Sequence, residues 1–238
     1  MLLSLATAPV MGLLFYLYIR DKYEKEPWRM LVISVLFGIV ITAPIVYVGN
    51  LSLFLLPQHW GLTGEAFFSA FVVSGFVEEV FKFGVLFLLT WKSPELNEKF
   101  DGIVYGVYVS LGFAFVENLL YVMSDDLGGV STALSRGVIS VPGHALFGVF
   151  MGYFFTRAKW THHGQRQTAQ GRVQFLALAL GIPVVIHGVY NVLLLTGVSI
   201  YVFLVYVALL YYGGAVLLKL HSEASPFKLP EKSHRGFF

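Results

Sequence analysis

The sequence predicts an all-α fold: a polytopic integral membrane helix bundle of about seven transmembrane helices, N-terminus outside and C-terminus cytoplasmic. Three observations predict it. The 238 residues are 57% hydrophobic and only 13% charged, against about 25% charged residues in an ordinary soluble domain. Apolar residues gather into seven stretches, at 2–19, 30–56, 66–91, 101–123, 136–156, 172–195 and 199–219, each close to the ~20 residues with which a helix crosses a bilayer. Fourteen of the 16 basic residues fall on alternate loops, the bias of cytoplasmic segments.

Taken in order, the first stretch carries Ala6-Thr7-Ala8, which resembles a signal-peptide cleavage site. A positive n-region is missing and the apolar run continues to Ile19, so an uncleaved first span is expected. Arg20, Lys22, Lys25 and Arg29 follow it, placing that loop inside. The second stretch is long enough to tilt or to end early near Asn50. Loops 57–65, 124–135 and 196–198 carry no basic residue, whereas 92–100, 157–171 and the tail do. Only Lys82, inside a span, and Arg136, at an outer boundary, depart from the alternation. Residues 1–220 form one transmembrane catalytic domain and 221–238 a solvated cytoplasmic tail. His162, His163, His221 and His234 lie in polar loops or that tail and read as surface residues. There is no cysteine, which removes disulfides, thiol nucleophiles and thiolate metal sites. No nucleic-acid partner is expected; the bilayer is.

Helices in lipid approach closely through small residues, and Gly102-xxx-Gly106 and Gly148-xxx-Gly152 supply such positions. Into this apolar frame the sequence puts Glu78, Glu79, Glu117, His144 and His187. A carboxylate at the centre of a span costs about 2.5–3.5 kcal/mol on insertion scales, and such residues are functional by default. At a rise of 1.5 Å per residue, all five fall between the midplane and about 8 Å toward the outer face. Ser140, His144, Gly148 and Gly152 share one face; Gly106, Ser110, Phe113 and Glu117 share another. Small neighbours on each face indicate helix contact, not lipid.

Lys82 is i+4 from Glu78 and i+3 from Glu79, within reach of both carboxylates. The three residues read either as a structural ion pair or as a coupled acid/base pair sharing a proton. His144 and His187 read as packing residues or as site residues, and Glu117 as a structural hydrogen-bonder or as a ligand. Asn191, one turn beyond His187, orients it or satisfies backbone. Pro142 and Pro183 precede the two histidines and are positioned to kink their helices and free a carbonyl near the site. Asp101 reads as a helix N-cap. There is no G-x-S-x-G, no H-E-x-x-H and no pair of intramembrane aspartates, which counts against serine, zincin and aspartyl designs.

The segments Asp21-Lys22-Tyr23-Glu24-Lys25-Glu26-Pro27, Glu78-Glu79-Val80-Phe81-Lys82, Asp101-Gly102-Ile103-Val104-Tyr105-Gly106, Gly112-Phe113-Ala114-Phe115-Val116-Glu117-Asn118, Pro142-Gly143-His144-Ala145-Leu146 and His187-Gly188-Val189-Tyr190-Asn191 stand in one order. In that order they resemble the PrsW family of bacterial intramembrane proteases, which is distantly similar to the CAAX-prenyl protease and bacteriocin-immunity group. The resemblance implies a protease of the bacterial cytoplasmic membrane in which Glu78, Glu79 and His187 carry the reaction and Glu117 and His144 stand nearby. It implies a membrane-spanning protein substrate, an anti-sigma factor for some members. At Asn191 an aspartate is also accepted, so the resemblance implies no charged role there.

Two mechanisms fit these residues. In one, a glutamate of the pair acts as general base on water and later protonates the leaving amine, while His187, with His144, steadies the oxyanion. In the other, Glu117, His144 and His187 hold zinc and a carboxylate of the pair is the base. The rival class is a proton-coupled transporter or channel, in which the same groups relay protons; the chain shows no internal repeat in its favour.

Overall fold

A computed structural model describes residues 1–21, 24–57, 59–161 and 165–224. Lys22, Tyr23, His162, His163, His234 and the tail from 225 lie outside the described residues. Among the described residues every extended element is helical, and the one β contact is an isolated bridge between Trp160 and Arg166.

Helix α1 (Leu2–Arg20) is joined to α2 (Trp28–Val40), which starts directly after Pro27. The second apolar stretch breaks at Ile41 before α3 (Thr42–Ser52) and a 3-10 turn at Leu53–Leu55. Pro44 accounts for the break: its ring meets the carbonyl of the residue four positions back, Val40, and it has no N–H to donate. The third stretch runs without interruption from Gly61 to Thr90, as α4 (Gly61–Phe68), a π segment (Ser69–Glu78) and α5 (Glu79–Thr90). The remaining helices are α6 (Asp101–Val122), α7 (Val130–Ser135), a second π segment (Arg136–Ser140), α8 (Val141–Lys159), α9 (Ala169–Leu195) and α10 (Ile200–Ala224).

Among the described residues six stretches are long and apolar enough to cross a membrane: Leu2–Arg20, Trp28–Leu55, Asp101–Val122, Val130–Lys159, Ala169–Leu195 and Ile200–His221. The seventh expected span, inside Gly61–Thr90, is long enough but is not among them, because Glu78, Glu79 and Lys82 crowd its middle. Pro183 leaves α9 unbroken, whereas Pro142 is the second residue of α8, two positions after the end of the second π segment.

Helix α6 is the axis of the bundle. Every residue from Asp101 to Ala114 is buried, which explains why this helix is apolar all round instead of amphipathic. It crosses α8 through the two glycine pairs. A Cβ on Gly152 would meet the Gly102 carbonyl oxygen at 2.0 Å, and one on Gly106 would meet that of Gly148 at 2.7 Å. Only glycine lets the backbones come this close. Phe83 and Phe87 of α5 and Trp91 just after it pack edge-on against Phe155 of α8, fixing the helix that carries the charged residues. At the periphery α1 and α10 turn Met11, Phe15, Leu204, Val205 and Leu209 outward, the surface a bilayer would cover.

Candidate active site

The first π segment ends at Glu78, and α5 begins at Glu79. A π turn widens the helix by one residue per turn and so re-aims the side chains beyond it; such turns recur at functional sites for that reason. Here it delivers two adjacent glutamates and Lys82 to one point. Glu79 and Lys82 are fully buried, and Glu78 is 8% exposed. Lys82 Nζ donates to Glu78 Oε2 at 3.1 Å and to Glu79 Oε1 at 2.8 Å, and it meets His144 Nδ1 of α8 at 3.2 Å.

An ammonium has only donors, so His144 Nδ1 is the acceptor and Nε2 carries the ring proton. That Nε2 donates to Glu117 Oε2 of α6 at 2.9 Å. The same oxygen receives Arg136 Nη2 at 2.6 Å, and Arg136 Nε donates to Asn118 Oδ1 at 3.0 Å. Asn118 Nδ2 in turn donates to the carbonyl of Ala6 in α1 at 2.7 Å. From the other side α9 brings His187, whose Nδ1 lies 2.9 Å from Glu79 Oε1 and whose Nε2 lies 4.0 Å from Glu78 Oε2. Phe147 stacks on the His187 ring at 4.5 Å, and Phe113 meets that of His144 edge-on at 5.4 Å.

Four helices thus converge on one polar knot. Glu78, Glu79, His144 and His187 stand together; Glu117 stands one hydrogen bond behind His144; Asn191 lines the adjoining cavity. That cavity, of about 420 Å³, lies at the end of the bundle where α6 and α9 finish, between Arg136, Tyr121, Tyr190 and Leu194, and it reaches both histidines. Arg136 is the residue whose part the sequence did not disclose. Its one signal was a basic charge off the alternating loops.

Acid, base and cation held out of water beside a cavity suit a membrane-embedded hydrolase as well as a proton relay, and the comparisons decide for the hydrolase. Residues 26–213 match the PrsW family intramembrane metalloproteases. The chain is 35% identical over 215 residues to Protease PrsW of Bacillus subtilis (strain 168), covering 90% of this chain and 92% of that one. It is 36% identical over 199 residues to Protease PrsW of Halalkalibacterium halodurans, with 82% and 83% covered. With Protease PrsW of Clostridioides difficile (strain 630) it shares 32% over 213 residues, with 88% and 87% covered. No solved structure matches the chain. The chain belongs to the PrsW family, and it is a membrane protease.

The family description names a metal, and the donors present fit one. Glu78, Glu79, His144 and His187 each offer a ligand atom within 4.8 Å of the others. Glu79 Oε2 is buried with no hydrogen-bond partner among the described residues, an arrangement that leaves an acceptor unused. Carboxylate and imidazole are the donors of hydrolytic zinc sites, and a carboxylate behind a ligand histidine, as Glu117 is behind His144, is their usual second layer. Of the three-residue set expected from the sequence, His144 and His187 are in this group; Glu117 lies outside it, tied to Arg136, and Glu78 and Glu79 stand in it instead.

Proposed function

We propose that the chain is an intramembrane endopeptidase that hydrolyses a peptide bond of a membrane-spanning protein, with Glu78, Glu79 and His187 at the reacting centre. The observation that supports this most directly is the contact of His187 with Glu79 at 2.9 Å beside Glu78, where His187 and His144 line a cavity of about 420 Å³. Glu79 is fixed by both Lys82 and His187, whereas Glu78 has one hydrogen bond and slight exposure. Glu78 is therefore assigned as the general base. It takes a proton from water as the water oxygen bonds to the scissile carbonyl carbon; when the C–N bond breaks, the same proton passes to the leaving amine. His187, with His144, faces the developing oxyanion. A zinc ion held by Glu79, His144 and His187 would supply Lewis acidity at that oxygen and leave Glu78 as the base.

In the same proposal Gly61–Thr90 is the seventh span, with the N-terminus outside and the C-terminus in the cytoplasm, as the basic loops suggest. Cysteines at Asp126 and Gln165 should then label from opposite sides of the membrane. The substrate is a membrane-spanning protein, and an anti-sigma factor of envelope-stress signalling is the specific candidate. Purified chain in lipid vesicles, given such a substrate, should cut it, while Glu78→Gln and Glu79→Gln should each retain less than about 1% of the rate. Both variants cutting normally would remove the general-base assignment.

A further inference from the structure

Lys82 stands where a metal would have to stand. Its Nζ is 3.1, 2.8 and 3.2 Å from Glu78 Oε2, Glu79 Oε1 and His144 Nδ1, which belong to three of the four residues able to hold an ion. An ammonium has three N–H donors, and these three contacts use all of them.

The pairing of His144 points the same way. Its Nε2 is committed to Glu117, so Nδ1 is the nitrogen left for a metal, and that lone pair is the one turned to Lys82. His144 Nδ1 has one lone pair, which an ammonium and a divalent cation cannot both take, and the two cations repel. Lys82 has a place to withdraw to. The Phe113 ring is already 4.2 Å from Nζ, and an aromatic face attracts a cation.

We propose that Lys82 is a built-in competitor for the metal: its ammonium caps the Glu78, Glu79 and His144 donors in the metal-free protein and is displaced when the ion enters. This deepens the peptidase proposal by giving the centre two states, one capped and one loaded. It also explains how two adjacent carboxylates are carried at membrane depth before a metal arrives. Lys82 is a positioning residue here, not a metal ligand.

The test is zinc binding to the purified full-length chain in lipid-containing detergent micelles, by calorimetric titration, with thermal unfolding as a second readout. Lys82→Met removes the cation at nearly constant length. Lys82→Gln removes the charge but keeps a donor for the carboxylates, should the methionine variant not fold without metal. Either neutral variant is expected to bind one zinc ion at least about tenfold tighter than the wild type and to gain a larger rise in unfolding temperature from it. Lys82→Arg, which keeps the charge, should bind no tighter than the wild type. Equal or weaker zinc binding by both neutral variants, or no binding by any form, would overturn the proposal. The titration uses no substrate, so failed proteolysis alongside tighter binding in the neutral variants would count against the peptidase proposal alone.

Discussion

At the Asp101 end of α6, Glu26, Asp101 and Tyr105 are buried together; at the Glu117 end, Glu78, Glu79, Lys82, His144 and His187 are buried, with Glu117 and Arg136 half-buried beside them. Both regions place carboxylates out of water on the same central helix, and they satisfy them by different means. In the first, Glu26 accepts from the Tyr105 hydroxyl and shares a hydrogen bond with Asp101, and Asp101 Oδ2 accepts the Asn97 N–H at 2.7 Å. Burial pushes the Glu26 carboxyl up to about 7, so here a proton does the compensating. In the second, a lysine, an arginine and two imidazoles do it. A carboxyl that holds its proton makes a quiet joint, tying the segment before α2 to α6. A carboxylate balanced by movable cations stays available to a ligand or to water. The proposed chemistry is therefore assigned to the cation-balanced end.

Substitutions at the two ends should separate accordingly. The largest effect, beyond the glutamate variants, is expected at His187→Asn, with cleavage falling by about 10²- to 10⁴-fold, since it removes a group at the reacting centre. Cleavage within threefold of wild type would return His187 to a packing role. Glu117→Gln comes next. It leaves the four-residue group in place but weakens the hold on His144, and a loss of about 10- to 100-fold is expected in rate or in zinc affinity. An effect as large as that of His187→Asn would move Glu117 into the centre itself.

The smallest effect on cleavage, within about twofold, should come from Glu26→Gln, which lies at the far end of α6. Its signature is in stability instead. A carboxyl whose pKa rises from 4.5 to about 7 on folding binds its proton more tightly in the folded state. Stability then falls as pH rises between those values and levels off above them. Thermal unfolding from pH 5 to pH 8 should show that decline in the wild type and a flatter profile in Glu26→Gln. A steeper decline in the variant would reverse the assignment.

The helices were legible because a bilayer demands long apolar runs, and the crossing of α6 and α8 was legible because Gly102, Gly106, Gly148 and Gly152 are spaced one turn apart. The polar residues of the site could be named from the sequence, since charge at membrane depth is conspicuous. Their partners could not. Glu117 pairs with Arg136 across 19 positions and His187 with Glu79 across 108, and no periodicity within a helix encodes such contacts. The break at Ile41 had a signal in Pro44, and the second π segment had one in Pro142; the first, from Ser69 to Glu78, contains neither proline nor any other local mark. Asp101 reads as an N-cap from its position alone, yet the cap position is Phe100, and the Asp101 carboxylate turns back to the N–H groups of Asn97 and Glu98. Its burial against Glu26, a residue of the segment before α2, depends on the tertiary fold.

The most direct measurement of whether Glu79 and His187 work in one centre is a double-substitution cycle on cleavage of a single-span membrane protein that the wild-type chain cuts. Rates would be taken for Glu79→Gln, His187→Asn and the two combined, in vesicles at one pH. Residues acting as a unit are strongly non-additive, so the double variant should be no more than about threefold slower than the slower single one. Losses that multiply, or a double variant cutting at the wild-type rate, would show that the two residues do not form one hydrolytic centre.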